Sequence, residues 1–222
     1  MFNRLTVGLL NLKRTTTMMS NITSIKKQVL DESEKFFVVK GFNKTTIQDI
    51  LNSVGIAKGT FYYYFKSKDD VLNCIIDRRL DICVNKMKTI MHDKKLTPQE
   101  KLYWGINTQK IFFQTEGKIK DQLHLVENAQ FHQRSFVQSV KKLTPILTKI
   151  IQEGIDDSSF STPFPQSTAE LLLSASLIFD NGLFQWSEKE KQKKVLGYIY
   201  IVEKSLGVPR ESLANLKKLF DC

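Results

Sequence analysis

Glycine and proline are scarce in this chain, 10 and 5 among 222 residues. An all-β fold needs a turn about every ten residues and draws on those two to make it, so that class is excluded. Cysteine is scarcer still: Cys74, Cys83 and Cys222, with no Cys-x-x-Cys pair. Cys74 and Cys83 would lie roughly 180° apart around a helix and cannot bridge each other; free thiols suit a reducing cytosol. The longest nearly apolar run, Leu171 to Phe179, falls far short of a bilayer span of roughly 20 residues. Near the N-terminus Val7–Leu10 is too short for a signal-peptide core and no small-residue cleavage site follows, so residues 1–22 read as a disordered arm or an overlong start. With His92, His124 and His132 the only histidines, no His-x-x-x-His or Cys/His ligand set exists. Nor is there a glycine loop that would cradle a phosphate. No catalytic residue, cofactor or metal follows from this sequence.

What the chain does have is positive charge and helical periodicity. The formal charge is +10, and between Lys40 and Lys68 five lysines (Lys40, Lys44, Lys58, Lys66, Lys68) face one acid, Asp49. A local basic patch of this kind serves phosphate binding, although a solvated face has the same composition. Apolar residues at Ile25, Val29, Phe36 and Phe37 predict a first helix over Thr23–Lys40, closed by Gly41 with Phe42 as its hydrophobic contact. Thr46-x-x-Asp49 is a capping-box pattern opening a second helix that Gly55 stops. Three residues, Gly55-Ile56-Ala57, then separate it from a third short helix beginning at Lys58. Two short helices across a three-residue turn headed by glycine make a helix-turn-helix, here over about 46–65. A long helix from Ser67 to about Met91 follows, with Asp69 and Asp70 in its first turn, where carboxylates suit the macrodipole. Further helices are expected near Pro98–Thr115, Lys118–Gln130, His132–Gly154, Ser167–Trp186, Ser187–Leu206 and Pro209–Phe220, so the fold class is all-α.

The run Lys58-Gly59-Thr60-Phe61-Tyr62-Tyr63-Tyr64-Phe65-Lys66-Ser67-Lys68, with Gly41-Phe42 and Thr45-Thr46-Ile47 before it, resembles the DNA-binding head of the tetracycline-repressor (TetR) family. The resemblance covers residues 23–83. It implies a three-helix head followed by a divergent helical ligand-binding and dimerisation domain over 84–222. A homodimer would then read a pseudo-palindromic double-stranded DNA operator, as a cytoplasmic repressor released by a small molecule, with no membrane partner. Ala57 departs from the serine or threonine common in the family and removes an N-cap side chain.

In such a head the N-terminal side chains of the second motif helix meet base edges, and its flanks hold phosphates. Lys58 can donate to guanine, Gly59 lets the backbone approach, and Thr60 can reach a phosphate or a thymine methyl. Tyr62 and Tyr63 offer hydroxyls to phosphates; Tyr64 fits the core as well as the interface. Lys66 and Lys68, at a helix N-terminus where the dipole disfavours cations, are expected to face phosphate. Thr45 and Thr46 are expected to cap the second helix, and either has an oxygen for phosphate. For an effector, the mixing of polar and aromatic residues nominates Trp104, Asn107, Glu127, Asn128 and Phe131 as pocket lining. For dimerisation, Leu171, Leu172, Ala175, Ile178 and Phe179 with Val195, Ile199, Val202 and Leu206 would build a four-helix interface. Two rival readings stay open: a DNA-binding architectural or activating protein without a ligand, and a helical interaction module whose head is structural.

Overall fold

A computed structural model describes residues 24–113, 129–179 and 186–220, and every described element is a helix, turn or loop. The helices are α1 (24–39), α2 (Ile47–Val54), α3 (Lys58–Tyr64), α4 (Lys68–His92), α5 (Pro98–Phe113), α6 (Ala129–Asp156), α7 (Pro165–Ser176) and α8 (Glu188–Leu206). A 3-10 turn, Leu177–Phe179, continues α7, and a 3-10 helix, Ala214–Phe220, follows α8. No described helix is long and apolar enough to cross a membrane. The chain divides into two compact units between Ile75 and Ile76, within α4.

The first unit is built on Val29, Phe37, Phe42, Ile50, Leu51, Phe61, Phe65, Val71 and Leu72, all buried. Helical spacing puts them on one face of each short helix. Gly41 takes the left-handed conformation (φ 88°) that closes α1 and turns Phe42 back onto Phe37, ring centroids 5.1 Å apart.

In the second unit the register of three helices can be read from named contacts. The Cys83 thiol lies 3.8 Å from the Thr108 carbonyl, and Gly105 faces both Met87 and Leu147. Lys101 donates to both carboxylate oxygens of Glu153 at 2.6 and 2.8 Å. Therefore α5 runs antiparallel to α4 and to α6, and α4 and α6 run parallel. The Lys101 side chain is 3% exposed and Glu153 43% exposed; a buried ammonium is tolerable because this carboxylate meets it bidentately. After α6 the chain folds back so that the Phe160 ring fills the space beside Gly154. A Cβ there would lie 2.1 Å from the ring.

Several expectations are corrected. The helix expected over Ser167–Trp186 ends at Ser176 and tightens into the 3-10 turn. The segment expected as α-helix over Pro209–Phe220 is 3-10 from Ala214. Its buried residues Leu213, Leu216 and Leu219 recur every third position, and three residues per turn is the 3-10 period. The expected helix at Lys118–Gln130 falls mostly outside the described residues. Val195, Ile199, Val202 and Leu206, expected at a dimer interface with Leu172, are all buried inside the protomer. Leu171, also expected there, does turn outward on α7, and the outward apolar residues of α8 are instead Leu196, Tyr200 and Ile201. Two apolar faces on one helix look alike in a sequence, and the stronger one went to the core.

Candidate nucleic-acid interface

The second motif helix is presented by its neighbours. Thr46 caps α2 as a full capping box: its hydroxyl accepts from the Asp49 amide (3.1 Å), and Asp49 accepts from the Thr46 amide (2.7 Å). Asp49 also takes the Lys40 ammonium at 2.6 Å. Lys40 and then the Thr46 amide hold this carboxyl down at about 2. Gly55 ends α2 with φ 75° and ψ 35°, a conformation that suits glycine, and its amide returns to Leu51. The extended Ala57 starts α3 with no side-chain cap, and its carbonyl accepts from the Thr60 and Phe61 amides.

Phe61 and Phe65 are buried to 0% and 1% exposure with centroids 5.7 Å apart. They fix which side of α3 faces inward. On the other side Lys58 and Gly59 are exposed, Thr60 is half-exposed, and Tyr62 and Tyr63 are 47% and 74% exposed. A Cβ at Gly59 would meet nothing within 4 Å, so packing within the protomer does not call for glycine there. Tyr64 is half-buried, with its ring edge-on to Tyr63 at 4.9 Å.

The structure gives two residues expected to contact phosphate an internal role. Thr45 is 1% exposed, and its hydroxyl donates to the carbonyls of Gly41 (2.7 Å) and Phe36 (3.3 Å). It closes the turn after α1; only Thr46 caps α2. Lys68 donates to the carbonyls of Phe42 (2.6 Å) and Thr45 (2.8 Å) and lies 4.4 Å from the Phe42 ring centroid. Burial pulls its pKa below the ordinary lysine value. The start of α4 is instead closed by Asp70, which accepts from the Lys66 amide at 2.9 Å and donates its own amide to Ser67. Lys66 itself stays exposed. Nothing local in the sequence marks Lys68 for this duty, because its carbonyl partners lie more than twenty positions away.

Of the five residues nominated for an effector pocket, only Trp104 and Asn107 have described side chains. Trp104 is 42% exposed; the inner face of α5 is Leu102, Gly105, Ile106 and Gln109, and Trp104 lies about 200° around the helix from Leu102. Asn107 is half-buried. Glu127 and Asn128, and the side chain of Phe131, lie outside the described residues. The polar groups that α5 does bury are Lys101, Thr108, Gln109 and Lys110, with the Gln109 amide donating to the Leu173 carbonyl at 3.1 Å. The mixing of polar and aromatic residues in the sequence pointed to Trp104 and Asn107 and not to these.

Comparison with known proteins places this geometry in a family. A sequence model described as "Bacterial regulatory proteins, tetR family" matches residues 29–75, and one described as "Tetracyclin repressor-like, C-terminal domain" matches residues 112–201. The uncharacterized HTH-type transcriptional regulator YerO of Bacillus subtilis is 41% identical over 68 residues, 31% of this chain but only 24% of that protein. The HTH-type transcriptional repressor KstR2 of Mycolicibacterium smegmatis is 29% identical over 64% of this chain and 70% of its own length. Among solved structures, the chain is similar in fold to RolR in complex with resorcinol (TM-score 0.61, 11% identity, 91% of this chain and 95% of that one). Reduced NemR of E. coli is similar too (TM-score 0.60, 13% identity, 84% and 99%).

The capping box carries an acid-side signature. A carboxyl whose folded pKa is depressed adds stability above its unfolded value of 3.8, and loses it as pH falls towards about 2. The melting temperature of the wild type should therefore exceed that of Asp49→Asn by a constant margin above pH 5 and converge on it in that acid window. A margin that does not narrow on acidification would show that Asp49 titrates as it does in the unfolded chain.

Proposed function

The chain belongs to the TetR family of bacterial regulatory proteins, and on that premise we propose that it is a cytoplasmic repressor, a homodimer that reads a pseudo-palindromic operator and leaves it when a small molecule binds. The observation that carries the DNA assignment is the outward face of α3. Lys58, Gly59, Thr60, Tyr62 and Tyr63 form a surface with a donor, an open backbone and two exposed aromatic side chains. Folding gains nothing from leaving Tyr63 74% exposed beside a glycine with empty space around it. A major groove gives both a use: the missing side chain admits the backbone, Lys58 meets base edges, and the phenols bridge to phosphates.

Two heads are needed because a single seven-residue helix reads too few bases for tight binding. The outward Leu171, Leu196 and Tyr200 supply an apolar face for the second copy. The likeness to a repressor, KstR2, and to a regulator crystallised with a small ligand, RolR, supports the effector-released mechanism. The effector site is assigned to the second unit, where α5 buries polar side chains that a ligand would find already desolvated.

Selection of bound fragments from genomic DNA by the purified protein supplies the operator for the test. Lys58→Ala should weaken operator binding by about 1–3 kcal/mol and relax the preference at one base position. Lys68→Met should leave the salt dependence of binding unchanged and lower the stability of the head by about 1–3 kcal/mol, since two carbonyls lose their donor. Wild-type affinity and specificity in Lys58→Ala would contradict the assigned reading face. For assembly, Tyr200→Glu should shift the protein to monomer in sedimentation equilibrium; a variant that stays dimeric would move the interface elsewhere.

A further inference from the structure

Outside the head, α4 and α6 enclose a groove of about 440 Å³ within the second unit. The parallel register of the two helices explains it. Lys142 on α6 is level with Asp77 and Asp81 on α4, to which its ammonium is bound at 2.8 and 3.1 Å. One turn further on, short residues oppose each other, Val84 and Pro145, and the surface drops between taller side chains. The floor is completed by Met91 and Ile146. Around it stand Lys88, Lys141 and Lys149, all exposed and none in an ion pair with a described residue. Asp81, the only acid among the described lining residues, is already taken by Lys142.

Pro145 adds a second polar feature. It has no amide hydrogen, so the carbonyl of Lys141 loses its partner in the helical ladder at the wall of the groove. The site thus combines an apolar floor of about two helical turns, uncompensated cations on both rims and a main-chain acceptor. The cations are spread along the groove rather than gathered at one end: Lys141 stands at one level and Lys88 with Lys149 at another. A single anionic headgroup would engage one end only; carboxylates repeated along a helix would engage both.

We propose that this groove docks an acidic amphipathic helix of a partner protein. Its apolar side chains at i, i+3, i+4 and i+7 would enter between Val84 and Pro145, and its carboxylates would meet Lys88, Lys141 and Lys149. The interaction uses a surface separate from the outward face of α3.

The probe is a fluorescein-labelled peptide of about four helical turns with leucines at those positions on a glutamate background. Fluorescence anisotropy with the full-length protein should show saturable binding that weakens with added salt. The Lys88→Glu/Lys149→Glu variant should lose about tenfold or more of the affinity, while its operator binding, which reports folding, stays at wild-type level. Absence of saturable binding, or equal binding to the charge-reversed variant, would overturn the proposal. So would tight binding of dodecanoate in the groove with none of the peptide, which would make it a site for a small anionic amphiphile.

Discussion

The burial of Phe61 and Phe65 is the interaction on which the reading surface depends. A seven-residue helix is too short to hold its shape in water, because nucleation costs more than so few hydrogen bonds return. Each fully buried phenylalanine contributes roughly 1.5–3 kcal/mol; Phe61 lies within α3 and Phe65 caps its end, its amide donating to the Phe61 carbonyl. Their burial fixes both the existence of the helix and its rotation about its axis. Once that rotation is set, Lys58, Gly59, Tyr62 and Tyr63 have no inward option and become surface. The absent N-cap at Ala57 weakens the helix further, so the aromatic anchor carries still more of its stability.

The charge of the head is spent more narrowly than its composition suggests. Of the five lysines between Lys40 and Lys68, Lys40 is held by Asp49 and Lys68 by two carbonyls. Both tie the turn after α1 to other elements: Lys40 to the capping box of α2, Lys68 to the start of α4. That turn is further closed by the Thr45 hydroxyl. The head is therefore a small core with polar braces, and of these five lysines Lys58 and Lys66 stand exposed at the two ends of α3. An ammonium that bonds inward organises the surface that other ammonium groups use.

Much of this was legible in the sequence where the determinant was local. The capping box at Thr46 and Asp49, the left-handed stops at Gly41 and Gly55 and the Phe61/Phe65 anchor all lie within a few residues of what they control. The errors arose where the determinant was distant. Lys68 reads as a surface cation until Phe42 and Thr45 are brought beside it. Trp104 reads as pocket lining because it is an aromatic residue with polar residues near it, yet the inward face of α5 is set by Leu102, Ile106 and Gln109. The faces of α8 could not be ranked from its sequence, since Val195, Ile199 and Val202 alternate with Leu196, Tyr200 and Ile201, and only packing decides which set is buried.

The central claim is that DNA meets the N-terminal face of α3 and that Phe61 and Phe65 hold it there. The most direct test is an amide NMR titration of the protein with its selected operator. The account predicts that the largest shift changes fall on Ala57 to Tyr63, with the Thr45 and Lys68 amides moving little. Shift changes concentrated on the second unit, or spread evenly over the head without a maximum at α3, would contradict it.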